Sequence, residues 1–512
     1  MYKTKKKDQR IAIIGAGVSG IAAANVWQKC GYSVTIYEAS NQVGGQWNVS
    51  YPGVRLQNTA PQYQFAEFPW PFETDRHPTG ENVLRYLNAA IEEFALDVRL
   101  GCKVTKMIKD DIGWKLTFAD GQESSFSYVV IATGQYPGGD EKLKPPFKNM
   151  DLYEGEVITN INSTDVLEGK EVAVIGFGKT ALDYSVWSSE VAKSTKHIFR
   201  TPRWTLPDYL LGIDYTRPFF ARIGSDMMPS WGHSSFVQNF LHKKVPFIVN
   251  SFWSFIATLF LFQHRKNAKL GSINKNVLDV VIPPKSQFLS DLRSATAVAP
   301  NRYYEYIAHN KITPYRAEVS SFFKNGVILS DGRKIEANLI CICCGNEAPT
   351  YEFLPQEYSQ YLKVYGGPAL YRHQIDPRIP NLGFSGYNHG FLHIALAEVG
   401  TLWQVAVYEK SLQLPSEEEM LASAKRVAKW KMEHSSYEPT FNMAVNTRYQ
   451  QHLDILLQDM GISPWRKFPN VFAELFLRYD PTDYKGVVKK YLSESERRKV
   501  KGKIKQVKPI DA

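Results

Sequence analysis

Residues 15–20 read Gly15-Ala16-Gly17-Val18-Ser19-Gly20, a GxGxxG run whose chemistry is the cradling of a diphosphate. Gly15 permits a tight turn. Gly17 lets backbone N–H groups approach an anion, and Gly20 lets the following helix pack closely on a strand. An apolar run, 11–14, precedes the loop and a helical stretch, 21–29, follows it. The loop therefore opens a helix whose unpaired N–H groups and partial positive charge favour a diphosphate. Glu38 ends the next apolar run at the spacing where an acid accepts from ribose hydroxyls and repels a 2′-phosphate. This site selects the adenosine of FAD or NAD and refuses that of NADP.

A second loop, Gly176-Phe177-Gly178-Lys179-Thr180-Ala181, follows the apolar run 171–175. Gly176, Gly178, Lys179 and Thr180 are its expected dinucleotide contacts. No acid ends the strand after it. The sequence there is His197-Ile198-Phe199-Arg200-Thr201-Pro202-Arg203. Arg200 or Arg203 can pair with a 2′-phosphate through a charge-assisted, bidentate contact, which selects NADP.

Each loop needs a strand before it, a helix after it and a second strand beyond. Both sets are present, at 11–37 and again at 171–199. The apolar runs 128–133 and 339–344 end in Gly134 and Gly345 and read as strands that return the chain to a dinucleotide site. The fold class is α/β, with two Rossmann-like dinucleotide-binding domains. Residues 204–300 lack the alternation of strand and helix and read as a helical insertion on the second domain. The stretches 417–433 and 494–505 read as polar helices.

The chain has 512 residues, a size for two or three domains. Its net charge of +10 gathers at the ends, in Lys3, Lys5, Lys6 and Lys7 and in the run from Arg497 to Lys508. These are expected as solvated tails; without an interleaved aromatic platform they exclude a nucleic-acid partner. The five cysteines are odd in number, which argues against a disulfide framework or a metal site and for a reducing, cytoplasmic compartment. No secretory signal is expected before the first strand. Adjacent Cys343 and Cys344 are expected to be buried and inert. The run 245–262 is near the minimum length of a membrane span but carries Pro246, Asn250, Ser251, Ser254 and Thr258. It is expected as a helix that either forms the core of the insertion or lies in a membrane interface, held there by Lys243, Lys244, Arg265 and Lys266.

After Glu38 come Val43-Gly44-Gly45-Gln46-Trp47 and Tyr51-Pro52-Gly53-Val54-Arg55-Leu56-Gln57-Asn58, then Phe65-Ala66-Glu67-Phe68-Pro69-Trp70-Pro71. With Ala132-Thr133-Gly134, Leu370-Tyr371-Arg372 and Pro380-Asn381-Leu382-Gly383-Phe384-Ser385-Gly386, these segments resemble the flavin-containing monooxygenases and their Baeyer–Villiger relatives. The likeness runs from Ile11 to about Lys410, is weak across the insertion and is absent from the tail. It implies that the first loop takes FAD and the second NADPH, and that Gly45, Gln46, Trp47, Thr133 and Gly134 belong to the flavin site. The implied domains are 1–155 with 330–435 for FAD, interrupted by 156–329 for NADPH, and then a basic helical extension, 436–512.

The resemblance also implies a reaction. NADPH reduces FAD, the reduced flavin takes up O2 at C4a, and the C4a-hydroperoxyflavin is kept dry until a soft nitrogen or sulfur nucleophile of a small organic substrate arrives. An amide near C4a helps hold that adduct in the family; Asn58 matches it best, and counting back from the FPWP segment gives Gln57. The family's FxGxxxHxxx[YFW] fingerprint is incomplete, with Tyr153, Gly155, Thr159 and Ser163 at its four places. The histidine and last aromatic are missing, which marks a divergent member. Two alternatives stay open. Tyr51–Arg55 (YPGVR) suits Baeyer–Villiger oxygenation of a ketone, although Gln57 stands where those enzymes carry an acid. The other is a non-oxygenating NADPH-dependent flavin oxidoreductase. His389 and His393 suit either a loop beside the flavin or a purely structural role.

Overall fold

The apolar run at the front of the chain becomes a strand because it can be buried on both faces. In the computed structural model β1 (Arg10–Ile14) has its last four residues buried, and it lies between β2 (Ser33–Tyr37) and β7 (Tyr128–Ile131), parallel to both. The structure describes residues 7–135, 147–232, 235–270, 275–294, 297–300, 302–345, 348–364, 366–436, 441–500 and 504–508. Lys3, Lys5, Lys6, Lys501 and Lys503 lie outside them.

The chain divides into two compact units. The first comprises 1–138, 216–245 and 348–512. Its parallel sheet has the order β18 (Leu382–Phe384), β7, β1, β2, β3 (Asp97–Arg99). Helix α1 (Val18–Lys29) is buried along most of its length, and Ala22, Ala23 and Ala24 let it pack against α11 (His393–Tyr408). Helix α2 (Gly80–Phe94) is capped by Thr79, whose side chain accepts from the Asn82 N–H. An antiparallel layer, β4 (Val104–Lys109), β5 (Trp114–Phe118) and β6 (Glu123–Phe126), precedes β7.

The second unit comprises 139–215 and 246–347. It repeats the plan: β13 (Ile312–Arg316), β10 (Ser194–Phe199), β9 (Glu171–Ile175), β17 (Leu339–Ile342) and β8 (Glu156–Ile158), all parallel. Helix α3 (Lys179–Val191) follows β9. Strands β14 (Val319–Phe323), β15 (Gly326–Leu329) and β16 (Lys334–Glu336) form its antiparallel layer before β17. Both return strands, β7 and β17, lie where the sequence placed them, beside the strand that carries the glycine loop.

The partition differs from the expected one in three places. Residues 330–345 were expected in the first domain, but β16 and β17 belong to the second unit, because β17 hydrogen-bonds to β9 and β8. The expected insertion is split. Helices α4 (Thr216–Phe219), α5 (Arg222–Asp226) and α6 (Phe236–Lys243) join the first unit, while α7 (Pro246–Asn267), α8 (Phe288–Leu292) and α9 (Tyr303–Ala308) join the second. The tail is also no separate extension. Helix α13 (Tyr449–Asp459) is buried almost throughout and packs on α11 and α5, and α14 (Val471–Phe476) packs on α5. Buried Arg222 fixes this arrangement: it donates to Asp454 and Glu474, to the Tyr479 hydroxyl and to the Pro464 carbonyl.

Candidate active site

Three elements build the first glycine loop. Gly15 turns with φ +108°, and a Cβ there would come 2.6 Å from the Ala132 carbonyl oxygen at the end of β7. Gly20 faces the Gly15 carbonyl so closely that a Cβ would lie 1.9 Å from its oxygen. These two glycines are demanded by the packing of the protein itself. Gly17 is not: a Cβ there would meet only the Gly45 Cα, at 3.7 Å. It caps α1 in an extended conformation with no side-chain cap, so the first N–H groups of the helix keep their donors for an anion.

The other first-unit candidates gather around this loop. The Ala16 N–H donates to Glu38 Oε2 at 2.7 Å, so the acid at the end of β2 sits beside the turn. Gly44 donates to the Ala16 carbonyl at 3.0 Å, which lays the 44–47 segment over the loop and Gly45 against Gly17. Trp47 is half-buried and its Nε1 donates to the Tyr63 hydroxyl at 3.1 Å, whereas Gln46 is exposed. Thr133 and Gly134 follow β7 beside Gly15; the Thr133 side chain bonds Tyr387, and the space around Gly134 is open.

Asn58 and Gln57 are half-buried. Asn58 Nδ2 donates to the Phe391 carbonyl, two residues before His393, whose Nε2 is 3.0 Å from Ser19 Oγ on α1. A short chain of contacts thus ties the catalytic candidate to the glycine loop. His77, missed in the sequence, steadies the same segment: its Nδ1 lies 3.1 Å from the Leu56 carbonyl and 3.2 Å from that of Asn58. Both partners are acceptors, so Nδ1 carries the proton. Trp70 of the FPWP segment stacks on Tyr86 at 4.3 Å, and the Tyr86 hydroxyl donates to the Phe68 carbonyl at 2.6 Å.

In the second unit Gly176 has φ +128°, and a Cβ would lie 2.3 Å from the Cys343 carbonyl oxygen after β17. This repeats the relation of Gly15 to Ala132. Gly178 caps α3 without a side-chain cap, and nothing lies within 4 Å of a Cβ there. Lys179 pairs with Asp183 at 2.6 Å, one turn along α3, and Thr180 is half-buried beside it. Arg200 leaves the end of β10 at the edge that carries the loop, exposed, with Glu318 at 3.5 Å. Arg203 is drawn away from that edge. It pairs at 3.2 Å with buried Asp291, which also accepts from the Trp204 N–H at 2.8 Å. His197 went unnoticed in the sequence because it reads as an ordinary strand residue. It is fully buried, with Nε2 2.7 Å from the Gly176 carbonyl and Nδ1 2.9 Å from the Tyr303 hydroxyl. Burial lowers its pKa to about 4, so the ring is neutral and holds the turn as a donor.

Both loops fit a dinucleotide: each has an uncapped helix N-terminus and a glycine that leaves the backbone approachable. Cys341 and Cys344 stand at CxxC spacing, and Cys343 and Cys344, expected to be buried, are half-buried. Burial pushes Cys341 up to about 12 and Cys344 up to about 11, so these cysteines are inert at neutral pH. The i, i+4 pair His389 and His393 does not share a helix, since His389 lies in the short strand β19 (His389–Gly390) and α11 begins at His393.

Residues 12–214 match the family described as pyridine nucleotide-disulphide oxidoreductase. Among curated proteins the chain is 29% identical to "Probable flavin-containing monooxygenase 1" of Arabidopsis thaliana, over 94% of this chain and 97% of that one. It is 22% identical to flavin-containing monooxygenase 3 of Canis lupus familiaris, over 89% and 83%. Among solved structures it resembles S-allyl-L-cysteine S-oxygenase from Allium sativum, with TM-score 0.60 and 17% identity over 96% of this chain and 93% of that one. It also resembles the open form of cyclohexanone monooxygenase, with TM-score 0.64 and 16% identity over 88% and 97%. With the two glycine loops in these surroundings, the chain is similar to the flavin-containing monooxygenases over nearly its whole length and is an oxidoreductase that uses FAD and NADPH.

Proposed function

We propose that the protein inserts one oxygen atom of O2 into a soft nitrogen or sulfur of a small organic substrate, with FAD on the first unit and NADPH on the second. FAD, when bound, supplies hydride acceptance from NADPH and oxygen activation at C4a. The residues of the chain do the rest. Gly15, Gly17, Ser19, Gly20 and Glu38 hold the adenosine diphosphate, with Gly45, Gln46, Trp47, Thr133 and Gly134 around the flavin. Gly176, Gly178, Lys179, Thr180 and Arg200 hold NADPH, and Arg203 supports that site through Asp291.

The observation that carries the reading is the Asn58–Phe391 hydrogen bond beside the first loop. One amide N–H of Asn58 is used there, which fixes the side chain and leaves the second N–H for an oxygen-bearing group. Gln57 is the neighbouring candidate for that task. The name of the garlic relative, an S-oxygenase, supports sulfur as the acceptor. Baeyer–Villiger chemistry is favoured by YPGVR, yet its Arg55 is exposed and engaged by Asp75 at 2.7 Å and the His77 carbonyl at 3.0 Å. The reading further places the protein in the cytoplasm.

The deciding experiment is mass spectrometry of products formed under 18O2 from a panel of amines, sulfides and ketones. One 18O atom on nitrogen or sulfur is expected. A labelled ester from a ketone would give the Baeyer–Villiger reading, and NADPH consumption that only yields H2O2 would give a non-oxygenating oxidoreductase. Asn58→Ala should leave flavin reduction intact and raise H2O2 release per NADPH; unchanged coupling would move the role to Gln57.

A further inference from the structure

Ser19 stands in the first turn of α1, and several groups converge on it. Its Oγ is 3.0 Å from His393 Nε2, and its carbonyl accepts from Ser385 Oγ at 3.0 Å. Gly386 approaches so closely that a Cβ there would lie 2.4 Å from Ser19 Oγ. The serine is therefore boxed in by the loop after β18 and by the first residue of α11. The other ring nitrogen of His393, Nδ1, is enclosed and has no hydrogen-bond partner among the described residues.

The proton on that ring can be placed by argument. Burial, with His389 nearby, lowers the His393 pKa to about 3, so the ring is neutral and has one N–H. If the proton were on Nδ1, an enclosed donor would go unpaired. If it is on Nε2, the donor is satisfied by Ser19 and only an acceptor goes without a partner. Orphaned buried N–H groups are the rarer and costlier of the two. Hence Nε2–H donates to Ser19 Oγ, and the serine's own hydrogen is free to point elsewhere. Around it lies the donor set already described, the uncapped N–H groups of α1 after Gly17.

We propose that His393 is a positioning residue for the FAD diphosphate: by donating to Ser19 it directs the Ser19 hydroxyl proton at a phosphate oxygen. The role rests on the reading of the first loop as the FAD site. It gives α11 a part in cofactor binding that neither the glycine motif nor Glu38 contains.

The test is a double-mutant cycle on the full-length chain, with FAD affinity measured by titrating flavin into deflavinated protein. Ser19→Ala and His393→Phe should each raise the Kd roughly tenfold, the loss of one charge-assisted hydrogen bond. The double variant should be no weaker than either single one, because both remove the same bond. His393→Gln, whose amide can donate in place of Nε2, should recover most of the affinity. The 31P resonances of bound FAD should move alike in Ser19→Ala and His393→Phe. Additive losses, or an unchanged Kd in Ser19→Ala, would overturn the proposal even if His393→Phe folds poorly. Failure of the site reading itself is a separate result: Gly17→Val protein that keeps full flavin occupancy.

Discussion

Gly17 and Gly20 belong to one motif but answer to different constraints. Gly20 has the Gly15 carbonyl where its Cβ would be, so Gly20→Ala must push helix α1 off the sheet. Gly17 has room for a Cβ, and the branches of a valine would stand where a diphosphate approaches. Gly17→Val is therefore expected to keep its fold in thermal unfolding without cofactor and to purify colourless, while Gly20→Ala loses the fold as well; the reverse pattern would refute the site. The two arginines divide in the same way. Arg200→Ala should raise the KM for NADPH by the equivalent of roughly 1.5–3 kcal/mol and leave NADH nearly unchanged. Arg203→Ala strands buried Asp291 without its ion pair, so its main effect should be on stability. Steady-state kinetics with both coenzymes, beside a melting curve, separate the two cases.

At the scale of elements α7 shows how one apolar run can serve two faces. Val249, Trp253, Ala257, Phe260 and His264 recur every three or four residues and are buried within the second unit. His264 Nε2 lies 3.0 Å from the Thr205 carbonyl and its ring tilts over Tyr304. Phe247, Ile248, Phe255 and Phe262 lie on the exposed side, and only 28% of the most apolar stretch of the helix is buried. The helix is thus half core and half apolar surface, where the sequence offered core or interface as alternatives. An exposed apolar stripe on a helix whose last turn carries Lys266 suits an anionic interface, where each basic residue adds about 1 kcal/mol. Flotation with anionic vesicles should carry the protein upward at low salt and release it at high salt. Phe255→Ser with Phe262→Ser should abolish the effect. Absence of flotation at low salt would leave the stripe without a lipid role.

Over the whole first unit a carboxyl on α11 sets a pH dependence. Glu398 accepts from the Ala66 N–H at 3.1 Å in a cleft also lined by Lys29, Glu67 and Tyr484. Burial raises its pKa to about 7; the Ala66 N–H and Lys29 pull it down and Glu67 pushes it up. The folded chain therefore holds a proton that the unfolded chain releases near 4.5. The contribution of this group is complete below about pH 4.5 and is lost as pH rises through 7, on the order of 3 kcal/mol in all. Denaturant unfolding at pH 5 and pH 8 should show Glu398→Gln gaining on the wild type at pH 8 only. An equal difference at both pH values would remove Glu398 as the cause.

The two glycine turns were legible because their constraints are local. A glycine turn between a buried strand and a helix fixes backbone N–H direction within six residues, and Glu38 or Arg200 follows one strand later, so spacing alone carries the chemistry. The duplication of that plan was legible for the same reason. What the sequence could not supply were partners distant along the chain. The pairing of Asn58 with Phe391, the hold of His393 on Ser19, and the diversion of Arg203 to Asp291 join segments tens or hundreds of residues apart, and no periodicity marks such pairs. The division of the insertion was decided in the same way. Arg222 must neutralise Asp454 and Glu474 inside the core, so 216–245 goes with the tail, while Trp253 and Phe260 of α7 fill the core of the second unit. Local backbone geometry was written in the residue order; where buried charges and rings find their complements is a property of the folded chain alone.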